Sequence, residues 1–148
     1  MRYRSMWTVG DYMSNWQYSK EVIKHFQHPK NVGRIKKPDG VGRVGNVVCG
    51  DVMVIYIKVG KKNGKEYIKD IKFETMGCAA AIASSSMLTE LAKGKTIEEA
   101  KKISMKDISS SLGGLPPIKL HCSNLAADGL KAAIADYEKK KKQFKPEK

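Results

Sequence analysis

The stretch VMVIYIKVGKKNGKEYIKDIKF, residues 52–73, decides the fold class. Valine and isoleucine alternate with other side chains over Val52–Val59 and again over Tyr67–Phe73, which is the two-residue period of strands with one buried face. The sequence KKNG at 61–64 predicts a hairpin turn, because Asn-Gly tolerates the positive φ angles that such turns require. Val44–Val48 has the composition of a further strand, so we expect three consecutive strands in an antiparallel sheet.

Helical patterns precede and follow these strands in the sequence. We expect five helices, which begin near Ser19, Ala79, Thr96, Met105 and Leu120. Ser19 is the expected N-cap of the first, and Thr96 to Glu99 has the pattern of a capping box. The first ends before a proline after about two turns, and the last is long and amphipathic, because apolar residues recur at helical spacing through it. Strands followed by helices describe an α+β domain: a three-stranded antiparallel sheet with helices packed on one face and a long C-terminal helix.

Length and composition describe one domain. The chain has 148 residues, of which 41% are hydrophobic, and a chain of this length buries enough surface for a core without disulfide or metal support. We expect an N-terminal arm over residues 1–17, one domain over 18–140 and a basic tail over 141–148. Neither a run of 18 apolar residues nor an apolar stretch in the first 17 is present, so we expect no membrane span and no secretory signal.

The charge and the cysteine count limit the classes of partner and compartment. The formal net charge is +13, from 28 Lys and Arg against 15 Asp and Glu. Because no RRM, KH or zinc-finger pattern accompanies this charge, we expect no nucleic-acid partner. Three cysteines without a CxxC pair argue against a disulfide framework, and this favours a reducing, cytoplasmic environment.

The three cysteines are the residues best suited to bind a metal or to react. They fall at predicted breaks between elements: Cys49 between the first two strands, Cys78 between the last strand and a helix, and Cys122 near the start of the final helix. A single cysteine is usually a small buried hydrophobic residue, but three at surface-lying breaks favour one shared site. Helix N-termini favour the thiolate form. With Asp51 or His121 beside them, the thiols suit an iron-sulfur cluster or zinc and not magnesium or calcium.

Three segments carry a resemblance to a known family. The segments VCGD at 48–51, GCAAAIASSS at 77–86 and LPPIKLHCS at 115–123 resemble the three signatures of IscU/NifU-type iron-sulfur cluster assembly scaffolds, in the right order. The resemblance covers residues 18 to about 140. It implies an α+β fold, a labile 2Fe-2S cluster, a pyridoxal-phosphate cysteine desulfurase as sulfur donor and acceptor apoproteins that receive the cluster. It also implies an assembly scaffold and sulfur carrier, not an enzyme.

The resemblance assigns roles residue by residue. It implies that three thiolates bind the cluster and that His121 and Asp51 share the remaining position; the thiolates are those of Cys49, Cys78 and Cys122. We expect Cys122 to be the first persulfide acceptor, as a partly exposed thiolate just after the Pro-Pro break.

Other parts of the resemblance are less complete. Lys119 lies in the segment that resembles a recognition site for an Hsp70-type chaperone, although the same segment equally suits a helix stop. The family usually has proline two residues before the first cysteine and glycine after the second, where this chain has Val47 and Ala79.

Two other functions fit part of the pattern. A zinc-binding sulfur acceptor that stimulates a cysteine desulfurase belongs to the same fold, but it typically carries an insertion before the third cysteine and lacks the neighbouring histidine; zinc is compatible with the protein as purified. A cysteine hydrolase would use Cys122 or Cys78 with His121 as base, yet it also needs an oxyanion hole and an orienting group. A homodimer is compatible with the sequence as well.

Overall fold

The computed structural model of the protein describes residues 19–46, 51–115 and 120–144, with all side chains except those of Asn46, Asp51, His121 and residues 142–144. Within these ranges the chain forms three strands, β1 (Gly40–Asn46), β2 (Asp51–Lys62) and β3 (Lys65–Met76), and five helices, α1 (Lys20–Gln27), α2 (Ala79–Ala92), α3 (Ile97–Lys101), α4 (Met105–Ser111) and α5 (Leu120–Phe144). The predicted α+β class, with a three-stranded antiparallel sheet and a long C-terminal helix, is confirmed.

The predicted hairpin joins β2 to β3. Lys62 pairs with Lys65, and the two residues between them, Asn63 and Gly64, have φ angles of 53° and 78°. This is the positive-φ pair that a two-residue hairpin turn requires. Both strands are longer than their apolar alternation predicted, because backbone pairing continues through polar residues as far as the turn.

The start of β1 differs from the prediction. The strand begins at Gly40 and not at Val44, because glycine here permits close packing against α5. A Cβ atom on Gly42 would lie 2.2 Å from the carbonyl oxygen of Gly129, and one on Gly40 would lie 2.3 Å from that of Ala133. The strand therefore carries glycine at the positions where a helix backbone lies directly over it.

Helices cover one face of the sheet, as predicted. The core-facing residues of β2 and β3 are buried: Met53, Ile55, Ile57, Ile68, Ile71 and Phe73. Both α2 and α5 pack over this face, and most residues of α2 are buried. On the opposite face of the sheet, the Tyr56 hydroxyl donates to Glu74. Arg34, in the segment before β1, pairs with the same carboxylate.

Side-chain caps define the helix starts. The Oγ atom of Ser19 accepts a hydrogen bond from the Val22 amide, and Thr96 forms a capping box with Glu99, both as the sequence predicts. A second capping box joins Ser104 to the residue three positions later at the start of α4. These caps fix where the short helices begin.

The last helix continues to Phe144, four residues into the segment expected to be a basic tail. Its C-terminal part is fastened to β3 by Glu66, which accepts hydrogen bonds from the Tyr137 hydroxyl and, at 2.8 Å, from the Lys141 ammonium group. None of the helices in the described residues has the length and apolar character needed to cross a membrane.

Candidate functional site

Two of the three cysteines meet where α2 and α5 begin. The sulfur atoms of Cys78 and Cys122 are 3.6 Å apart, although 44 residues separate them in sequence. Cys78 is the N-cap residue of α2, with extended backbone angles, and Cys122 is the third residue of α5. The fold therefore brings together two residues that the sequence placed only at separate breaks.

The two thiols differ in accessibility. Cys122 is fully buried, in a small cluster with Ala80 and Ala81, and Leu115 packs against the same cluster. Cys78 is half-buried, and Met76, two residues before it, is 71% exposed. The expectation that Cys122 is partly exposed is wrong, because the first turns of α2 and α5 pack closely around it.

The separation of the two sulfur atoms fits metal coordination. A disulfide requires about 2.05 Å between sulfurs, so at 3.6 Å the two residues are thiols. Two thiolates bound to one tetrahedral ion at about 2.3 Å each lie about 3.8 Å apart. The first turn of α2 contains no acidic residue, so the positive end of the helix is available to stabilise a thiolate at Cys78. The pair can therefore hold a soft metal ion.

The structure describes the backbone, but not the side chains, of two further predicted ligands. Asp51 is the first residue of β2 and pairs with Asn46, and His121 is the second residue of α5, directly before Cys122. Since β2 also pairs Val52 with Met76, the start of β2 lies at the end of the sheet that leads into Cys78. Sheet topology thus brings the Asp51 position to the same end of the sheet as Cys78.

Cys49 and Lys119 lie outside the described residues, as does the end of the predicted strand Val44–Val48. Among the side chains that the structure does describe, no cluster of three or more His, Cys, Asp or Glu residues is found. The described part of the site consists of the Cys78–Cys122 pair.

The helix α2, whose N-cap is Cys78, also carries a network of buried hydroxyl groups that the sequence patterns did not predict. Ser84 lies 3.2 Å from Ser123 of α5, measured between Oγ atoms. Ser85 donates to the Ala81 carbonyl at 2.9 Å. Ser86 accepts from the Lys30 amide at 2.8 Å. All three serines of α2 are fully buried. The run of three serines in a mostly apolar helix was the available signal.

His25, to which the sequence assigned no function, belongs to this network. Its Nδ1 atom is 2.7 Å from the Ser86 Oγ, and its Nε2 atom is 3.5 Å from a carboxylate oxygen of Glu90. Burial lowers the pKa of His25 below its ordinary value, while the Glu90 carboxylate opposes that change. His25 therefore joins α1 to α2 as a buried side chain that favours the neutral form.

Comparisons with known proteins agree with this fold and site. Residues 17–144 match the family described as NifU-like N terminal domain. The chain is 63% identical, over 123 residues, to "Iron-sulfur cluster assembly scaffold protein IscU 1" of Archaeoglobus fulgidus, covering 83% of this chain and 78% of that protein. It is 53% identical, over 131 residues, to "Iron-sulfur cluster assembly scaffold protein IscU" of Rickettsia prowazekii, covering 86% and 97%.

A solved structure supports the architecture. The N-terminal part of a nitrogen-fixing NifU-like protein from Brucella abortus superposes with a TM-score of 0.65 at 20% identity, covering 86% of this chain and 98% of that one. At this identity the likeness concerns the fold. The match over residues 17–144 shows that the chain belongs to the NifU-like N terminal domain family.

Proposed function

We propose that the protein is a scaffold on which an iron-sulfur cluster is assembled from iron and sulfur and then passed to acceptor apoproteins. The observation that carries this proposal is the thiol pair of Cys78 and Cys122, with sulfur atoms 3.6 Å apart at the N-terminus of α2. The names of the similar Archaeoglobus and Rickettsia proteins support the same function. In this role the cluster is cargo and the protein is a carrier, not an enzyme.

The ligand set we propose is Cys49, Cys78 and Cys122, with His121 or Asp51 in the remaining position. Permanent clusters are normally held by four thiolates. Three thiolates and one harder ligand are expected to hold a cluster less tightly, and this favours release to an acceptor. We therefore propose a labile 2Fe-2S cluster as the product of assembly.

A cysteine desulfurase is the sulfur donor we propose, and Cys122 is the proposed persulfide acceptor. Because Cys122 is fully buried, a donor reaches it only after the first turn of α5 moves away from α2. Mass spectrometry after a single turnover is expected to find the added sulfur on Cys122. Finding it first on Cys78 would refute this assignment and leave the scaffold function intact.

The remaining partners follow from the resemblance. An Hsp70-type chaperone is proposed to recognise the segment that contains Lys119, and acceptor apoproteins receive the cluster. We propose that the protein works in the cytoplasm, either as a monomer or as a homodimer.

Zinc binding is the second candidate, because the same sulfur separation suits tetrahedral zinc. Anaerobic reconstitution with ferrous iron, cysteine, a desulfurase and a thiol reductant, which converts the persulfide sulfur to sulfide, decides between the two. We expect a coloured protein that contains iron and acid-labile sulfide and transfers them to an apo-ferredoxin. Cys78→Ala and Cys122→Ala should fail to form it, whereas Ser110→Ala, an exposed change on α4, should behave as wild type. A colourless protein that retains zinc and takes up neither iron nor sulfide would refute the scaffold function.

A further inference from the structure

A pair of buried hydroxyl groups joins the same two helices, α2 and α5, that carry the thiol pair. The Oγ atoms of Ser84 on α2 and Ser123 on α5 are 3.2 Å apart, and both side chains are fully buried. Ser123 follows Cys122 immediately in sequence. The hydrogen bond therefore joins α2 to the first turn of α5, the turn that carries one of the two thiols.

Small residues allow the two helices to approach closely enough for this bond. Ala80 and Ala81 on α2 are buried in the same cluster as Cys122, and Ala126 and Ala127 on α5 are buried one turn further along. Packing between such small side chains restricts sliding and rotation weakly, because there is little to interlock. A directional hydrogen bond between short side chains supplies the missing restraint on the relative position of the helices.

The neighbouring serines of α2 form bonds elsewhere. Successive residues of an α-helix point about 100° apart, so Ser84 and Ser86 face different sides of α2. Ser86 bonds to His25 and to the Lys30 amide, in the segment before the sheet. Ser86 is as deeply buried as Ser84 but makes no described hydrogen bond to α5. The chain thus contains its own control for the loss of one buried hydroxyl group.

We infer that Ser84 and Ser123 are positioning residues, which hold the first turn of α5 against α2 so that the Cys78 and Cys122 sulfur atoms stay at metal-binding separation. Neither hydroxyl group is assigned to the ligand set. Their effect on cluster assembly rests on the proposed function, whereas their effect on the thiol pair does not.

The test is a Co²⁺ titration of the reduced full chain under anaerobic conditions, followed by the thiolate-to-cobalt charge-transfer absorption. Ser84→Ala and Ser123→Ala are expected to weaken Co²⁺ binding by about 10–100-fold, the range found when groups that orient metal ligands are removed. Ser86→Ala should bind Co²⁺ as wild type does. Ser84→Thr, which keeps a hydroxyl group, should bind more tightly than Ser84→Ala.

Thermal unfolding of each variant separates positioning from stability. If Ser84→Ala and Ser86→Ala lose similar stability and also weaken Co²⁺ binding equally, or if Ser84→Ala and Ser123→Ala bind as wild type, the inference is overturned. Should Ser84→Ala fail to fold, the comparison of Ser123→Ala with Ser86→Ala gives the same decision. Failure of wild-type protein to take up iron and sulfide would refute the proposed function alone, because Co²⁺ binding requires no sulfur donor.

Discussion

Replacing Gly42 with alanine tests how closely α5 packs on β1. A Cβ atom at this position would lie 2.2 Å from the Gly129 carbonyl oxygen and 2.4 Å from the Ala133 nitrogen. Carbon and oxygen atoms in contact are normally about 3.3–3.6 Å apart, so the strand and the helix would have to separate by about 1 Å. Both neighbouring atoms belong to the backbone of α5, so no side-chain rotation relieves the clash.

The expected cost follows from this geometry. Overpacking a well-packed core costs about 1–3 kcal/mol, and we expect Gly42→Ala at the upper end because only backbone can move. For a domain of this size, about 3 kcal/mol lowers the melting temperature by roughly 6–12 °C. Gly60→Ala is the matched control, since its Cβ atom would be 3.0 Å from the ring of Tyr67, which can rotate away. We expect it to change the unfolding free energy by about 0.5 kcal/mol or less.

Urea unfolding followed by circular dichroism measures both variants against wild type. Gly42→Ala should lower the midpoint with an unchanged slope, because the surface exposed on unfolding stays the same. If Gly42→Ala and Gly60→Ala unfold at the same midpoint, the close contact between β1 and α5 does not restrict the residue at this position, and the reasoning is refuted.

Three further predictions concern charge. The unfolded chain protonates His25 at a higher pH than the folded protein does, because burial lowers the folded pKa below 6.5. The free energy of unfolding should therefore decrease as the pH is lowered from about 7.5 to about 5.5. The decrease should be smaller in His25→Gln than in His28→Gln, which is the exposed control. Equal pH dependence in the two variants would contradict this. Glu66→Ala removes the acceptor for Tyr137 and Lys141, so amide hydrogen exchange at the end of α5 should become faster. The free energy of protection there should fall by about 1 kcal/mol, whereas the control Glu98→Ala should leave it unchanged. Unchanged exchange would show that other contacts hold the helix end. Asp51→Ala should slow anaerobic cluster loss if this carboxylate makes the cluster labile. Faster loss would make Asp51 a retaining ligand or a turn former.

The sequence predicted the elements whose causes are local. The Asn63-Gly64 turn and the caps at Ser19 and Thr96 depend on a few adjacent residues, so the sequence was sufficient to predict them. The start of β1 was missed because Gly40 and Gly42 are required by the close approach of Ala133 and Gly129, residues of α5 far away in sequence. A glycine that permits close packing has the same local signature as a glycine in a loop.

In the candidate site, too, the features with local causes were predictable and those that depend on helix packing were not. The positions of Cys78 and Cys122 at helix starts could be read from the pattern, and so could the chemistry of a thiol site. Their contact could not, because it depends on how α5 packs on α2. The burial of Cys122 was missed for that reason. The hydrogen bond between Ser84 and Ser123 could not be predicted either, because a serine in a helical pattern does not indicate which neighbour its hydroxyl group will contact.

The three consecutive serines of α2 also determine which part of the site is able to move. Ser84 bonds to α5, Ser85 contacts the sulfur of Met53 on β2, and Ser86 bonds to His25 of α1. Turning α2 about its axis would break all three connections at once, so these contacts hold the helix in one orientation. The first turn of α5 has fewer polar connections: among the described side chains, Ser123 bonds to Ser84 and the Cys122 sulfur contacts that of Cys78. Opening the thiol pair therefore means swinging Cys122 away from a stationary Cys78.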